Sequence, residues 1–344
     1  MKIDGRKIGR KEQPYFIAEM SGNHNNDIER AFKIIEAAKA ADADAVKLQT
    51  YTPDTITIDH DGDEFTIKGG LWAGKRLYDL YKEAMTPWEW HGDLFDYAKE
   101  QKITIFSSPF DRTAVDLLEN LNAPAYKIAS FEIIDIPLIK YVAQTKKPMI
   151  ISTGLANEEE IAEAVEAAEG CPFVLLHCVS NYPAPCEDMN LATMGHMAQK
   201  YGVPTGLSDH STGISVPITA TALGAVVIEK HMTLCRADGG VDSDFSLEPD
   251  EFSDMVKACK EAYSAIGKVD YSVKQSEAGG RDYRRSLYVT CSIAEGEIFT
   301  ENNIRSIRPG FGLHPKHYDM VIGASALKDI DKGTPLNWDM VRDE

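Results

Sequence analysis

The chain has 344 residues, 43% of them hydrophobic, enough for a large core and more than the ~250 residues of a typical (β/α)8 barrel. Its net charge of −18 argues against nucleic acid or an anionic membrane as partner, since both need clustered Lys and Arg, and any anionic substrate must meet a local basic pocket. No apolar run approaches the ~18 residues of a membrane span, and the opening MKIDGRKIGRKEQ lacks a signal peptide's apolar centre, so a cytoplasmic location is expected.

Eight short β-prone runs follow in order: Tyr15–Met20, Ala45–Thr50, Ile103–Pro109, Ala125–Ser130, Pro148–Gly154, Phe173–Val179, Pro204–His210 and Ala225–Met232. Helical spacing of apolar residues separates them, as in Ile28–Lys39, Thr113–Leu121, Glu158–Ala168 and Asp250–Ile266, with Asp111 and Asn157 as N-cap residues. Alternating strands and helices predict a parallel sheet, and eight units predict a closed (β/α)8 barrel with its site at the strand C-termini. The connection from Tyr51 to Pro87 is unusually long for such a barrel and reads as a functional insertion. The barrel is expected over residues 1–268. A polar linker follows over 269–282, then a β-rich unit over 283–344 with short strands in SLYVTCSI, EIFTENNIRSIRP and KGTPL and tight turns at AEGE and DKGT. A unit of about 60 residues is near the lower limit for folding alone. The six cysteines form no CxxC pair and are expected as free thiols; Cys178 either fills core or faces the site.

The strand ends carry the chemistry. His210 and His231 end consecutive strands, accompanied by Asp209 and Glu229, and two imidazoles there suit either a divalent metal or acid–base work. Strand alternation puts Glu229 and His231 on one face and Lys230 on the other. Lys47 and Lys127 on core strands suggest a bound anion or a Schiff base, against the plainer reading of a salt bridge to Glu19 or Glu132. Ser108, Ser130, Ser152 and Thr153 lie at strand-to-helix junctions, where hydroxyls and amide groups cradle phosphate, although each alone also suits a helix cap. Glu19 is a base, a hydroxyl anchor or a partner for Lys47.

The pieces FIAEMSGNHN, AVKLQTYTP, FSSPFD, YKIAS, ISTG, LHCVSNYP, GLSDHSTG and EKHMT, with YRRSLY and RPGFGLHP after them, resemble the sialic acid synthase family across nearly the whole chain. LQTYTPDTIT, GGLWAGKRLYDLYKEA and TPWEWH look like its pseudaminic acid synthase branch. The resemblance implies a barrel followed by a C-terminal antifreeze-like (SAF) domain. It also implies a domain-swapped homodimer in which that domain closes over the partner's barrel. By position, His210 and His231 match the ligands of a divalent metal, Mn2+ first, with Mg2+ or Co2+ as alternatives. Lys47, Ser108, Lys127, Ser130 and Ser152 match contacts to phosphoenolpyruvate, and Ser180 stands where some relatives have Asn, which leaves its phosphate contact open. Glu19, Gln49, Tyr182 and Asp242 match residues of the sugar side and reaction centre, and Arg308 matches an arginine reaching in from the partner subunit.

The implied reaction condenses phosphoenolpyruvate with a 6-deoxy diacetamido hexose, 2,4-diacetamido-2,4,6-trideoxy-L-altrose, and expels phosphate by C–O cleavage. Either Glu19 or Glu229 would activate the water. Aromatic and apolar walls for the 6-methyl group are expected from Leu71, Trp72, Tyr78 and Tyr81. The alternatives are a legionaminic or N-acetylneuraminic acid synthase and, from other classes, a Schiff-base aldolase or a non-enzymatic sugar- or ice-binding protein.

Overall fold

The computed structural model describes residues 1–342, which divide into two compact units, Met1–Gly267 and a second beginning at Lys268. In the first, eight parallel strands close a barrel: β1 (Tyr15–Glu19), β2 (Ala45–Thr50), β3 (Thr104–Pro109), β4 (Tyr126–Ile128), β5 (Met149–Ser152), β6 (Phe173–Cys178), β7 (Thr205–Asp209) and β8 (Val227–His231). Sequential neighbours pair throughout, and β8 closes on β1 with His231 opposite Glu19, which in turn lies opposite Lys47. A small antiparallel pair, Lys2–Ile3 with Arg6–Lys7, precedes the barrel.

Strand alternation decides which residues reach the lumen. Tyr15 and Ile17, Ala45, Phe106, Ile150, Val174 and Leu176, and Val227 point inward and fill the lower lumen. Continuing the same parity upward puts Glu19, Lys47, Gln49, Ser108, Lys127, Ser152, Cys178, Ser208, Glu229 and His231 on the lumen side of the rim. The opposite parity sends Phe16, Ala18, Val46, Leu48, Leu207 and Ile228 into the layer between strands and helices. Gly206 is required on β7, because a Cβ there would collide with Val227 O and lie 2.8 Å from Leu176.

The helices start where short polar side chains satisfy free amide groups. Asp111 accepts from Thr113 N and Ala114 N to open Arg112–Asn120, and Asn157 accepts from Glu159 N and Glu160 N to open Glu158–Ala167. The insertion after β2 is ordered, with helices at Pro53–Ile56 and Leu77–Ala84. Its Leu80 and Ala84 pack on Val241, with Ile67 and Trp72 alongside. Among the described residues, no helix is long and apolar enough to cross a membrane.

In the second unit, the segment expected as linker carries a 310 helix at Gln275–Tyr283. Strands β9 (Ser286–Val289) and β10 (Ile304–Ile307) pair antiparallel around a core that includes Leu287, Val289, Phe299, Ile304 and Leu336. The expected turns form with left-handed Gly296 and Gly333. KGTPL does not make the expected strand: it contributes an isolated bridge from Pro335 to Tyr288, because Pro335 has no amide proton to extend a ladder.

Candidate active site

Four charges meet in the lumen within ion-pairing distance. Lys47 Nζ lies 3.0 Å from Glu19 and 3.2 Å from Glu229, and Lys127 Nζ lies 2.8 Å from the same Glu229 oxygen. All four side chains are at most 5% exposed. Ser208 Oγ donates to Glu229 at 3.1 Å, and Lys47 donates to Ser108 Oγ at 3.4 Å. The lysines therefore pair with Glu19 and Glu229, and neither bonds to Glu132.

The two carboxylates are tuned apart. Burial pushes the Glu19 carboxyl up to about 7, with only partial relief from Lys47. Burial acts on Glu229 as well, but the charges of Lys127 and Lys47 outweigh it and hold Glu229 well below the carboxylate range. Glu229 is thus a fixed anion, and Glu19 exchanges its proton near neutral pH. Glu132 is a third tuned acid: burial pushes it to about 7, and its Oε2 is buried without a hydrogen-bond partner.

Beside the lysines, Ser130 and Ser180 flank a cradle at Gly154, two residues past Ser152. A Cβ at Gly154 would collide with Ser180 Oγ and sit 2.7 Å from Ser130 Oγ. Ser152 Oγ is buried with no partner, a donor left open to a ligand. Ser130 Oγ also lies 3.4 Å from Cys178 Sγ, so Cys178 faces the site.

Across the lumen the imidazole centroids of His210 and His231 are 5.4 Å apart. His210 Nδ1 donates to Val179 O at 3.0 Å, which in the neutral ring leaves Nε2 to a ligand; burial lowers the ring's proton affinity, but Cys178 and this carbonyl outweigh it and push His210 above its ordinary value. Burial, then the neighbouring His210, pushes His231 well below its ordinary value, so it is a neutral imidazole, and its buried Nδ1 has no hydrogen-bond partner. Asp242 lies 4.0 Å from that nitrogen. This donor set fits a divalent ion on two imidazoles. Among the described residues, no three His, Cys, Asp or Glu side chains form a ready cage, so further positions would fall to water or substrate.

Tyr182 forms an aromatic wall, its ring 4.4 Å from His210, 5.1 Å from Phe245 and 5.6 Å from Trp72. Trp72 comes from the insertion, held by its Nε1 donating to Val241 O at 2.9 Å. The other expected wall residues do not join Tyr182 in this way. Tyr81 packs on Tyr51, Tyr78 donates to Asp54, and Leu71 is 44% exposed. Behind Glu19, Gln49 Nε2 donates to Glu19 Oε1 and to Ser21 Oγ, both at 2.9 Å, and Ser21 Oγ donates to Asp242.

The barrel rim thus gathers Glu19, Lys47, Gln49, Ser108, Lys127, Ser130, Ser152, Ser180, Tyr182, His210, Glu229, His231 and Asp242, whereas Thr153 turns its hydroxyl to Leu176 O. Arg308 lies in the second unit, exposed just past β10. Asp209 is a correction: it has the outward parity of Lys230, and its carboxylate is taken up in a fully buried ion pair with that lysine. Ser21, Ser208, Glu132, Gly154 and Phe245 are additions. Ser208 shares strand parity with His210 and was open to detection, whereas Ser21 acts on a residue 221 positions away.

The NeuB family model matches residues 34–271, and the SAF domain model matches 284–342. The chain is 46% identical over 325 residues to the pseudaminic acid synthase of Campylobacter jejuni subsp. jejuni serotype O:23/36 (strain 81-176), covering 94% of this chain and 95% of that one. It is 44% identical over 332 residues to the pseudaminic acid synthase of Helicobacter pylori (strain ATCC 700392 / 26695), covering 95% and 98%. Among solved structures, the N-acetylneuraminic acid (sialic acid) synthetase from Leptospira borgpetersenii serovar Hardjo-bovis, in complex with citrate, superposes with a TM-score of 0.73 at 32% identity, over 81% of this chain and 94% of that chain. The eight-stranded barrel with its lysine–carboxylate rim and the small β-rich unit after it therefore make this chain a member of the NeuB family with a C-terminal SAF domain.

Proposed function

We propose that this chain is a pseudaminic acid synthase, condensing phosphoenolpyruvate with 2,4-diacetamido-2,4,6-trideoxy-L-altrose to give pseudaminic acid and phosphate. The observation that carries the reading is the rim itself: two buried lysines beside a serine–glycine cradle, facing two imidazoles, in a chain 44–46% identical to pseudaminic acid synthases. The sialic acid synthetase at 32% identity supports the family more than that substrate.

In this reading Lys47, Lys127, Ser108, Ser130, Ser152 and Ser180 hold the phosphate and carboxylate of phosphoenolpyruvate in a dry pocket, where each charge counts for more than in water. Carbon 3 of phosphoenolpyruvate bonds to the aldehyde carbon, and the aldehyde oxygen takes a proton. Water adds at carbon 2 and gives one proton to Glu19; the carbon 2–oxygen bond then breaks as the remaining hydroxyl proton passes to the departing phosphate, leaving the keto group. Glu19 has the proton affinity this needs, while Glu229 stays charged and anchors both lysines. His210 and His231 would hold a divalent ion, Mn2+ before Mg2+ or Co2+, whose chemistry when bound is Lewis acidity toward the aldehyde oxygen. Tyr182, Trp72 and Phe245 supply the apolar wall that a 6-deoxy sugar needs.

The reading extends to a homodimer in which Arg308 of one chain completes the partner's sugar site. Exposed apolar side chains in the loops after β4 and β5, Phe131 at 59%, Ile134 at 62% and Leu155 at 70%, support a covered rim. A cytoplasmic location goes with an enzyme that consumes phosphoenolpyruvate. The test is phosphate release from phosphoenolpyruvate with each candidate sugar. Turnover with the altrose sugar and little with N-acetylmannosamine is expected; comparable rates would overturn the assignment.

A further inference from the structure

Ser21 occupies a backbone conformation that its side chain disfavours. Its φ is +46°, in the left-handed region where glycine is at ease and other residues are strained. It is also buried, at 3% exposure, two residues past the end of β1. Strain of this kind persists where the surroundings or the function require the side chain.

The surroundings do not require it. The loop carrying Asp242 is tied to the β1 end independently, by Asn23 Nδ2 donating to Met232 O at 3.0 Å and to Ser246 Oγ at 2.9 Å. Ser246 Oγ in turn donates to the backbone oxygen of Asp242 at 2.6 Å. What Ser21 adds is confined to side chains. Its hydroxyl accepts from Gln49 Nε2 at 2.9 Å and donates to Asp242 Oδ2, while the same Gln49 nitrogen donates to Glu19. One hydroxyl therefore links Glu19 and Gln49 to the carboxylate 4.0 Å from His231.

We infer that Ser21 is a positioning residue of the sugar half of the site, its hydroxyl setting the relative placement of Gln49 and Asp242 opposite the phosphate cradle. This rests on the synthase reading and adds a residue to it. The Ser21 hydroxyl bonds to neither lysine and to none of the serines around Gly154, and Glu19 stays held by Gln49 and Lys47, so the loss is expected on the sugar.

The test compares Ser21→Gly, which removes hydroxyl and strain together, with Ser21→Ala, which keeps the strained backbone. Both are expected to lower kcat/KM for the sugar roughly 10- to 100-fold, the range for losing a hydrogen bond to a charged group. KM for phosphoenolpyruvate should stay within about twofold, since a factor that small is well under 1 kcal/mol. Ser21→Gly should melt above Ser21→Ala, because only alanine retains the left-handed penalty. Equal losses for both substrates, or wild-type kinetics in either variant, would overturn the role of Ser21. An inactive wild-type enzyme with phosphoenolpyruvate and the sugar would instead overturn the synthase reading, and this role with it.

Discussion

Glu19→Gln should stabilise the protein at alkaline pH while abolishing turnover. In the fold the Glu19 carboxyl is held at about 7 by burial, against an ordinary value of 4.5. Below pH 4.5 both folded and unfolded chains keep the proton, and the group is neutral in its effect. Between 4.5 and 7 the unfolded chain releases the proton first, so stability falls as pH rises; above 7 the full cost is present. At about 1.4 kcal/mol per pH unit, that cost is on the order of 3 kcal/mol. Glutamine carries no charge to bury and still accepts from Gln49, and Lys47 keeps Glu229 at 3.2 Å, so its charge is not stranded. Chemical denaturation of both proteins from pH 5 to 8.5 should show curves that differ by under about 1 kcal/mol at pH 5 and diverge to about 3 kcal/mol at pH 8. A difference independent of pH, or a wild type that is the more stable at pH 8, would refute this account of Glu19.

Gly154→Ala should raise KM for phosphoenolpyruvate more than tenfold and leave sugar KM nearly unchanged, since the new methyl intrudes on Ser130 and Ser180; steady-state kinetics checks this. Wild-type protein should bind about one Mn2+ per chain by calorimetry and lose activity in EDTA. His210→Ala and His231→Ala should each lose that binding while remaining folded by circular dichroism. Arg308→Ala should weaken sugar binding with phosphoenolpyruvate affinity intact. Mixed with a Lys127→Met partner, it should show more activity than either variant alone, since the proposed dimer would then hold one complete site.

The barrel and most of the rim were legible because strand parity is local. Once Tyr15, Ile17 and Glu19 are read as one face, the lumen side of every other strand follows by alternation and pairing. The same rule separated Glu229 and His231 from Lys230, and applied one strand earlier it would have removed Asp209 from the site. What stayed hidden depends on long-range approach. The raised Glu19 and the fixed Glu229 differ through their distances to two lysines from β2 and β4, which no spacing encodes. Gly154 reads as a turn residue until Ser130 and Ser180 are seen against it. The aromatics of the insertion were legible as a group, but only Trp72 meets Tyr182, because Tyr81 and Tyr78 turn to Tyr51 and Asp54.

The most direct measurement is phosphate release from phosphoenolpyruvate labelled with 18O at the bridging oxygen, with 2,4-diacetamido-2,4,6-trideoxy-L-altrose as acceptor. Sugar-dependent release of phosphate carrying the label, formed by C–O cleavage, is expected. Unlabelled phosphate, or no release with this sugar alongside efficient release with N-acetylmannosamine, would contradict it.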